Sequence, residues 1–452
     1  MTAPCAVPVS FVDEGLGNSS YLVDLGDRRA MVVDPSRHPG IYLEEAGRRG
    51  LEIVFALETH LHADFVSGAR ELGALGAQLL VPGDGGHAFP VRGLSDGDDI
   101  DLGGLTLRPV RTPGHTPEHL AYLLLDGRTP VALFSGGSLL VDSVARTDLI
   151  DTKQSEALAR MLWRSLRERI LTLPDELPVY PTHGTGSFCA AAVGGERTTT
   201  VGRERRANPL LAAPDEDAFV KRLLAGLGTY PPYFLRLREV NRRGPLIYGP
   251  GEAALPAVRP DDVRRLLAAG TWLVDVRPVD AYARGHVPGS VSIALRPQFP
   301  SWLGWVVPFG APVVFVLDGS TDIAELMRQS RNIGYDQVLG VLAGGVDGWA
   351  LAGYDLETTA IHSVDEAAGA VLDVRQRAEY DAGHIPDAGH IELGNLVHGD
   401  HPPTPVSLMC GHGERAMTAA SLLARSGKRD VTVLVGGPED WARRHGPLVT
   451  AG

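Results

Sequence analysis

The sequence predicts an α/β chain in three parts: an N-terminal α/β sandwich of two mixed sheets, then two copies of a smaller domain built on a parallel sheet. Three observations predict it. Residues 1–200 hold a succession of short apolar runs that end in His-, Gly- or Pro-bearing loops. Residues 259–452 contain an internal repeat. Within each copy of the repeat, apolar runs of buried-strand type alternate with helical patterns, as in a parallel sheet covered on both faces.

The first part reads as the strands SSYLVDL, RAMVVDP, EIVFALET, QLLVPG, LTLRPVRT, LAYLLL, PVALFSG and PVYPTH. Loops at strand ends are where such a layered fold places its chemistry. Residues 201–258 connect, with an amphipathic helix in DEDAFVKRLLAGL followed by a Pro/Gly-rich stretch, of which YPPYFLRL can pack back on the first domain. The repeat is direct. LVDVRPVDAYARGHVPGSVSI (273–293) matches VLDVRQRAEYDAGHIPDAGHI (371–391) at an offset of 98, and LAGGVDGW (342–349) matches LVGGPEDW (434–441) at an offset of 92. Two copies are too few for a solenoid, so they read as two globular units. In the first copy TWLVDVR, APVVFVL and DQVLGVLAGG are strands and TDIAELMRQSRNIG a helix; in the second PVSLMC and DVTVLVGG are strands and ERAMTAASLLARSG a helix. The expected domains are 1–245, 256–358 and 362–452.

Composition narrows the function. The 452 residues suit about three domains at roughly 150 residues each. Hydrophobic residues at 44% and charged residues at 21% are ordinary for a globular protein, and the 54 Gly and 33 Pro follow no strict period, which excludes collagen. A net charge of −13 argues against nucleic acid or an anionic membrane as the main partner. Three cysteines, Cys5, Cys189 and Cys410, are too few for a disulfide framework. The start of the chain lacks the basic and apolar regions of a secretory signal, and no apolar run reaches the ~18 residues of a membrane span, so a cytoplasmic location is expected.

Two segments carry chemistry. LETHLHADF places His60, His62 and Asp64 at alternate positions after a strand. TPGHTPEH adds His115 and His119, and PTHG adds His183. Imidazole and carboxylate are ligands of Zn(II) and non-haem Fe(II), so histidines at three strand ends form a candidate metal cluster; a structural role for them is the alternative. THLHAD, TPGHTPEH, LFSGGSLL and ARTDL together resemble the metallo-β-lactamase superfold over about residues 1–200, and within it the persulfide dioxygenase branch related to glyoxalase II. The resemblance implies an αββα sandwich and an iron held by two histidines and an aspartate. The pattern departs twice: Phe65 stands where the superfold has a second-metal histidine, and Gly137 stands where the metal aspartate would be. The ligands then reduce to His60, His62 and His115, with Asp64 and His183 lining the neighbouring position. Fe(II) is the implied metal and Zn(II) the alternative. Arg146 either pins its loop by pairing with Asp148 or orients an anionic, glutathione-type substrate. Cys189 is either an ordinary buried thiol or a residue lining the site.

The second segment is SLMCGHGERAMTAASLLARSG, where Cys410 ends a strand and Gly411, His412, Gly413, Glu414 and Arg415 lead into a helix. Such a loop can turn its amides inward as an anion nest, with the positive end of the helix aimed at the same point, and Arg415 can add charge-assisted bonds to an anionic substrate. With DVR, GHIPxA and VGGxxxW around it, this segment resembles rhodanese over nearly all of 362–452, which implies a Cys410 persulfide. Asp373, Arg375 and His384 are expected to hold the fold. In the first copy Asp318 falls at the nucleophile position, and Asp318-Gly319-Ser320-Thr321-Asp322-Ile323 has neither Cys nor Arg; that copy reads as a spacer, docking surface or dimer element. The order of domains resembles persulfide dioxygenase–rhodanese fusions. That likeness implies oxidation of glutathione persulfide or a similar persulfide to sulfite, with Cys410 moving sulfur among sulfite, thiosulfate and thiols, and leaves room for a homo-oligomer. The alternatives are a sulfur carrier with a first domain that lacks metal, and a glyoxalase II-like thioester hydrolase.

Overall fold

In the computed structural model, residues 7–190, 195–251, 254–367 and 369–450 are described here; Cys5 lies outside them. The chain divides into two compact units, residues 1–251 with 331–334, and residues 252–330 with 335–452.

The first unit is a sandwich of two six-stranded mixed sheets. One sheet runs in chain order from Val9–Asp13 to Arg92–Leu94, antiparallel across its first three strands and parallel across the rest. The other is antiparallel except where Thr129–Gly136 pairs in parallel with Pro178–Pro181. The layering follows from strand alternation. Successive side chains point to opposite faces, and here both faces are apolar. Tyr21, Val23, Met31, Val33, Leu120, Tyr122 and Leu124 meet between the sheets. Leu22, Ala30 and Val32 face Tyr42, Ala46, Ala69 and Leu72 of two covering helices, Gly40–Arg49 and Ala69–Ala74. Ala121, Leu123 and Leu125 face Ala159, Leu162, Phe219 and Leu223 of the helices Ser155–Ser165 and Glu216–Ala225. This is the αββα order. The helix Phe234–Arg243, in the connecting segment, packs back on this unit through buried Phe234 and Leu237.

The second unit holds two five-stranded sheets, each all-parallel, with the same strand order in both copies. Each copy also builds the same buried brace. Asp373 and Arg375 pair at 2.7 Å, and Arg375 continues to the Gly383 carbonyl; Asp275 and Arg277 pair at 2.6 Å and continue to Gly285. His384 stacks on Tyr380 at 3.7 Å and His286 on Tyr282 at 3.9 Å. These repeated residues hold the fold in the copy with the cysteine and in the copy without it. No helix among the described residues is long and apolar enough to cross a membrane.

Leu124 lies fully buried between the two sheets. Leu124→Ala is therefore expected to destabilise the first unit by about 2–5 kcal/mol, read as an earlier midpoint in urea.

Candidate active sites

The first site gathers at strand ends. Asp34 follows Arg29–Val33, the His60 loop follows Glu52–Leu57, Gly137 follows Thr129–Gly136 and His183 follows Pro178–Pro181. His115 and His119 come from the turn between Leu105–Arg111 and Leu120–Asp126. His60, His115 and His183 bring their ligand nitrogens within 4.8 Å of one another, and all three are 1% exposed.

The hydrogen bonds fix which nitrogens are bare. Thr59 Oγ1 gives its only proton to Asp34 Oδ2 at 2.8 Å, so it accepts from His60 Nδ1, also at 2.8 Å. His115 Nδ1 donates to the Arg146 carbonyl at 2.7 Å. His183 Nδ1 faces two acceptors, Asn18 Oδ1 at 3.0 Å and Asp64 Oδ2 at 3.2 Å. His60 and His115 thus carry their proton on the outward nitrogen and present a bare Nε2 inward, and the two acceptors behind His183 turn its Nε2 inward as well. Burial keeps His60 neutral, well below the ordinary range, and lowers His115 to about 3. The Nε2 atoms of His60 and His183 stand 3.4 Å apart. The bare His60 Nε2 at that distance can accept a proton from His183 or share a cation with it. Outward protons anchored on oxygen and inward lone pairs are how proteins orient histidine metal ligands.

His62 goes elsewhere. Its Nε2 lies 2.9 Å from Glu58 Oε2 and 3.2 Å from Asp34 Oδ1. Burial would lower its pKa, but the two carboxylates raise it to about 10, making it an imidazolium without a lone pair to give. Burial pushes Asp34 up as well, yet His62 and the bonds from Thr182 and Thr59 outweigh it and hold Asp34 below the usual range. The sequence groups His60, His62 and His115 at one position and Asp64 and His183 at its neighbour; the geometry instead puts His183 with His60 and His115. Asp64 lies behind His183, and a second grouping of His62, Asp64 and His183 also has ligand spacing.

Gly137 shows why a carboxylate cannot simply be returned. A Cβ built there would lie 2.4 Å from His115 Cδ2 and 3.2 Å from Ala145 Cβ, while the Gly137 amide donates to His119 Nε2 at 2.9 Å. The His115 ring occupies the room a side chain would need. The residues present therefore fit a divalent metal held by three imidazoles, and do not fit one held by two histidines and an aspartate at 137. Phe65, buried, lies against His62 with ring centroids 4.2 Å apart and the rings tilted by 30°.

Arg146 is 3% exposed and fully engaged, with Asp148 at 2.6 and 2.8 Å, the Phe188 and Gly228 carbonyls at 3.0 and 2.9 Å, and the Tyr230 ring beneath it. This is a loop-pinning arrangement that uses four of the five guanidinium N–H groups. Buried Cys189 has its thiol pushed up by burial beside Asp64, which keeps it protonated. Several contributors carry no motif. Asn241, on the connecting helix, donates to the His62 and Phe65 carbonyls at 2.8 and 2.9 Å, and the Tyr233 hydroxyl donates to the Asp64 carbonyl at 3.1 Å. The polar residue Glu58 at the end of an apolar strand was the available signal for the carboxylate beside His62.

The second site is the Cys410 loop. Cys410 is 1% exposed at the end of Val406–Met409, and Gly413 N–H donates to its Sγ at 3.1 Å at the start of the helix Glu414–Arg425. Gly413 has φ 109°, a conformation that favours glycine. His412 is exposed, Gly411 and Glu414 half-buried. Arg415 makes a two-pronged pair with Glu379, at 2.5 and 2.8 Å. Glu379 was legible from the repeat: its counterpart is Ala281, and the counterpart of Arg415 is Ile323, so both halves of the pair are missing together from the Cys-less copy. There Asp318 accepts from Ser320 N, Ser320 Oγ and Thr321 Oγ1 at 2.9, 2.7 and 3.0 Å, folding the loop around its own carboxylate.

The metallo-beta-lactamase superfamily model matches residues 13–80, and the rhodanese-like domain model matches residues 259–352 and 359–444. The human mitochondrial persulfide dioxygenase ETHE1 is 32% identical over 189 residues, 40% of this chain and 68% of that protein. The chain belongs to the metallo-beta-lactamase superfamily, fused to two rhodanese-like domains. Within that superfamily a hydroxyacylglutathione hydrolase of Rhodopseudomonas palustris (strain BisB18) is 30% identical over 249 residues, 49% of this chain and 93% of that protein. A crystal structure of a metallo-beta-lactamase from Staphylococcus aureus subsp. aureus COL has a TM-score of 0.68 at 30% identity, covering 75% of this chain and 99% of that one. The rhodanese-like domains and the persulfide dioxygenase relatives place the chain in sulfur metabolism.

The buried histidines predict a pH signature for the metal-free protein. His60, His115 and His119 have pKa values depressed in the fold, the last two to about 3, so below roughly pH 6.5 only the unfolded chain takes up their protons and stability falls with pH. His62 has the opposite sign: its contribution is complete below roughly pH 6.5 and is lost as pH rises to about 10. The cluster's contribution is expected to peak near pH 6.5, with the acid limb steeper. A thermal-denaturation series with chelator measures it, and His62→Gln should flatten the alkaline limb and, by removing a positive charge beside His60 and His115, soften the acid limb.

Proposed function

We propose that this chain is a sulfurtransferase that carries sulfane sulfur as a Cys410 persulfide, and that its three-histidine cluster is a metal centre where a low-molecular-weight persulfide, such as glutathione persulfide, is oxidised to sulfite. The Gly413 amide on Cys410 Sγ, at the N-terminus of the following helix, carries the first half of this reading. The amide and the helix end stabilise a thiolate in a loop too tight for a bulky neighbour. The thiolate attacks the outer sulfur of a donor persulfide; the donor S–S bond breaks, the donor leaves as a thiolate, and a Cys410–S–SH bond system remains. Sulfite then attacks that outer sulfur, the Cys410–sulfur bond breaks, thiosulfate leaves, and the persulfide's own proton passes to Cys410 to return the thiol. Arg415, fixed by Glu379, stays planar beside the loop instead of sweeping through it.

His60, His115 and His183 would hold the metal. A bound Fe(II) supplies Lewis acidity toward the persulfide sulfur and redox capacity toward O₂, which Zn(II) lacks. The overall change balances as persulfide plus O₂ plus water giving thiol plus sulfite and two protons. The chain's own part is to keep three imidazoles aimed, through Thr59, the Arg146 carbonyl, Asn18 and Asp64, and to exclude bulk water by burial. Thioester hydrolysis fits less well, because Phe65 and Gly137 leave the second position without its ligands. One observation favours a narrower reading, transfer alone: the His115 ring lies where a carboxylate from residue 137 would project.

Oxygen uptake and sulfur transfer with glutathione persulfide, on anaerobically iron-loaded protein, separate the readings. The expected result is O₂ consumption that His115→Ala abolishes, and transfer to sulfite that Cys410→Ser abolishes. Transfer without O₂ consumption leaves the transferase alone; neither activity would overturn the proposal.

A further inference from the structure

The Cys-less rhodanese copy has no nucleophile, yet it reaches the Cys410 loop of the other copy. Arg296, in the segment after its strand Val291–Ser292, lies 2.9 Å from Glu414 Oε1. Glu414 follows directly on Gly413, whose amide holds Cys410 Sγ. The Arg415 guanidinium lies 5.4 Å from the centroid of the Trp302 ring, on the helix Phe299–Val306 of the Cys-less copy. The helix Glu414–Arg425 is seated on that copy: Thr418 Oγ1 donates to the Ser292 carbonyl at 2.7 Å, and the Ser292 amide donates to Ser421 Oγ at 3.2 Å. This seat explains why the helix is buried on every side from Ala416 to Leu423.

The charges sort into two pairs. Glu379 takes the positive charge of Arg415 within the active copy. Glu414 then brings a negative charge one residue from the amide that binds sulfur, where every donor and acceptor of this chemistry is an anion. The active copy does not repeat the cation of Arg296: counting on from Ile293 and Ile391, the position of Arg296 in that copy is Gly394. Gly394 packs against Trp305, with room for no side chain, since a Cβ there would meet the Trp305 ring at 2.5 Å.

We infer that Arg296 is a specificity-determining residue of the Cys410 site: the Cys-less copy supplies the counter-charge that neutralises Glu414 and so admits anionic sulfur donors. This rests on reading Cys410 as the sulfur-carrying thiol. The inference gives the Cys-less copy a chemical task, and it ranks donors by charge. Removing Arg296 penalises the thiosulfate dianion more than a singly charged persulfide.

The test is alkylation of Cys410 in the full chain by anionic iodoacetate and neutral iodoacetamide, at one pH, with modification followed on the Cys410 peptide by mass spectrometry. Arg296→Ala is expected to lower the iodoacetate-to-iodoacetamide rate ratio by about two- to fivefold, the scale of one partly exposed charge left unpaired. Glu414→Gln in the same background is expected to restore the ratio, and Arg296→Lys to keep most of it. In turnover, KM for thiosulfate should rise more than KM for a singly charged persulfide such as cysteine persulfide. A ratio unchanged in Arg296→Ala overturns the inference. So does a rise in both alkylation rates that Glu414→Gln leaves in place, because that marks a loosened loop and not a lost charge. The ratio needs no turnover, so a chain without transferase activity would overturn the reading of Cys410 and leave this measurement standing.

Discussion

The inward-facing Nε2 atoms of His60 and His183, 3.4 Å apart, are the contact around which the first unit is arranged. Such a contact persists only if the surroundings hold each ring from behind. Every strand end at the site contributes to that hold: Thr59 and Asp34 behind His60, the Arg146 carbonyl behind His115, Asn18 and Asp64 behind His183. Arg146 can offer its carbonyl at a fixed place because its side chain is spent on Asp148 and two carbonyls. The connecting helix extends the same frame, since Asn241 and Tyr233 bind the backbone of the loop that carries His62 and Asp64. A cluster this ordered, with its Nε2 atoms inward, is the electrostatic complement of a cation. It reaches that state without a carboxylate at residue 137, because the fold has let the His115 ring take that space.

The second unit separates fold from chemistry in one chain. Both copies keep the Asp–Arg brace, the His on Tyr stack and the strand order. Only one keeps Cys, Arg and the Glu that fixes the Arg. In the other, Asp318 closes the loop on itself, and Ala281 and Ile323 stand where the ion pair would be. A loop that has lost its nucleophile has no use for a clamp on its cation, so the three losses belong together. What the Cys-less copy retains is a surface, and the helix that follows Cys410 stands on it.

Much of this was legible in the letters. Strand alternation in SSYLVDL and LAYLLL, apolar on both faces, required a covered sheet on each side, and helices cover both. The repeat gave the two parallel-sheet domains and marked Asp318 as a replaced cysteine. The histidines of the first site could be gathered from their strand ends, but their grouping could not. HxHxD spacing says nothing of which ring turns away, and it is Glu58, two residues before His60, that draws His62 out of the cluster by offering a second carboxylate. The roles of Asn241, Arg296 and Trp302 were invisible for a different reason. Each acts on a loop far away in sequence, through contacts that only the packed chain creates.

Equilibrium titration of the metal-free protein with Co(II), followed by visible absorption, tests the three-imidazole centre most directly, because it reads ligands without requiring turnover. The account predicts one ion per chain with a nitrogen-ligated spectrum. That spectrum should be lost in His183→Ala and kept in Asp148→Asn. Equal binding and an unchanged spectrum in His183→Ala would contradict it, and would return the site to an arrangement in which His183 is only a neighbour.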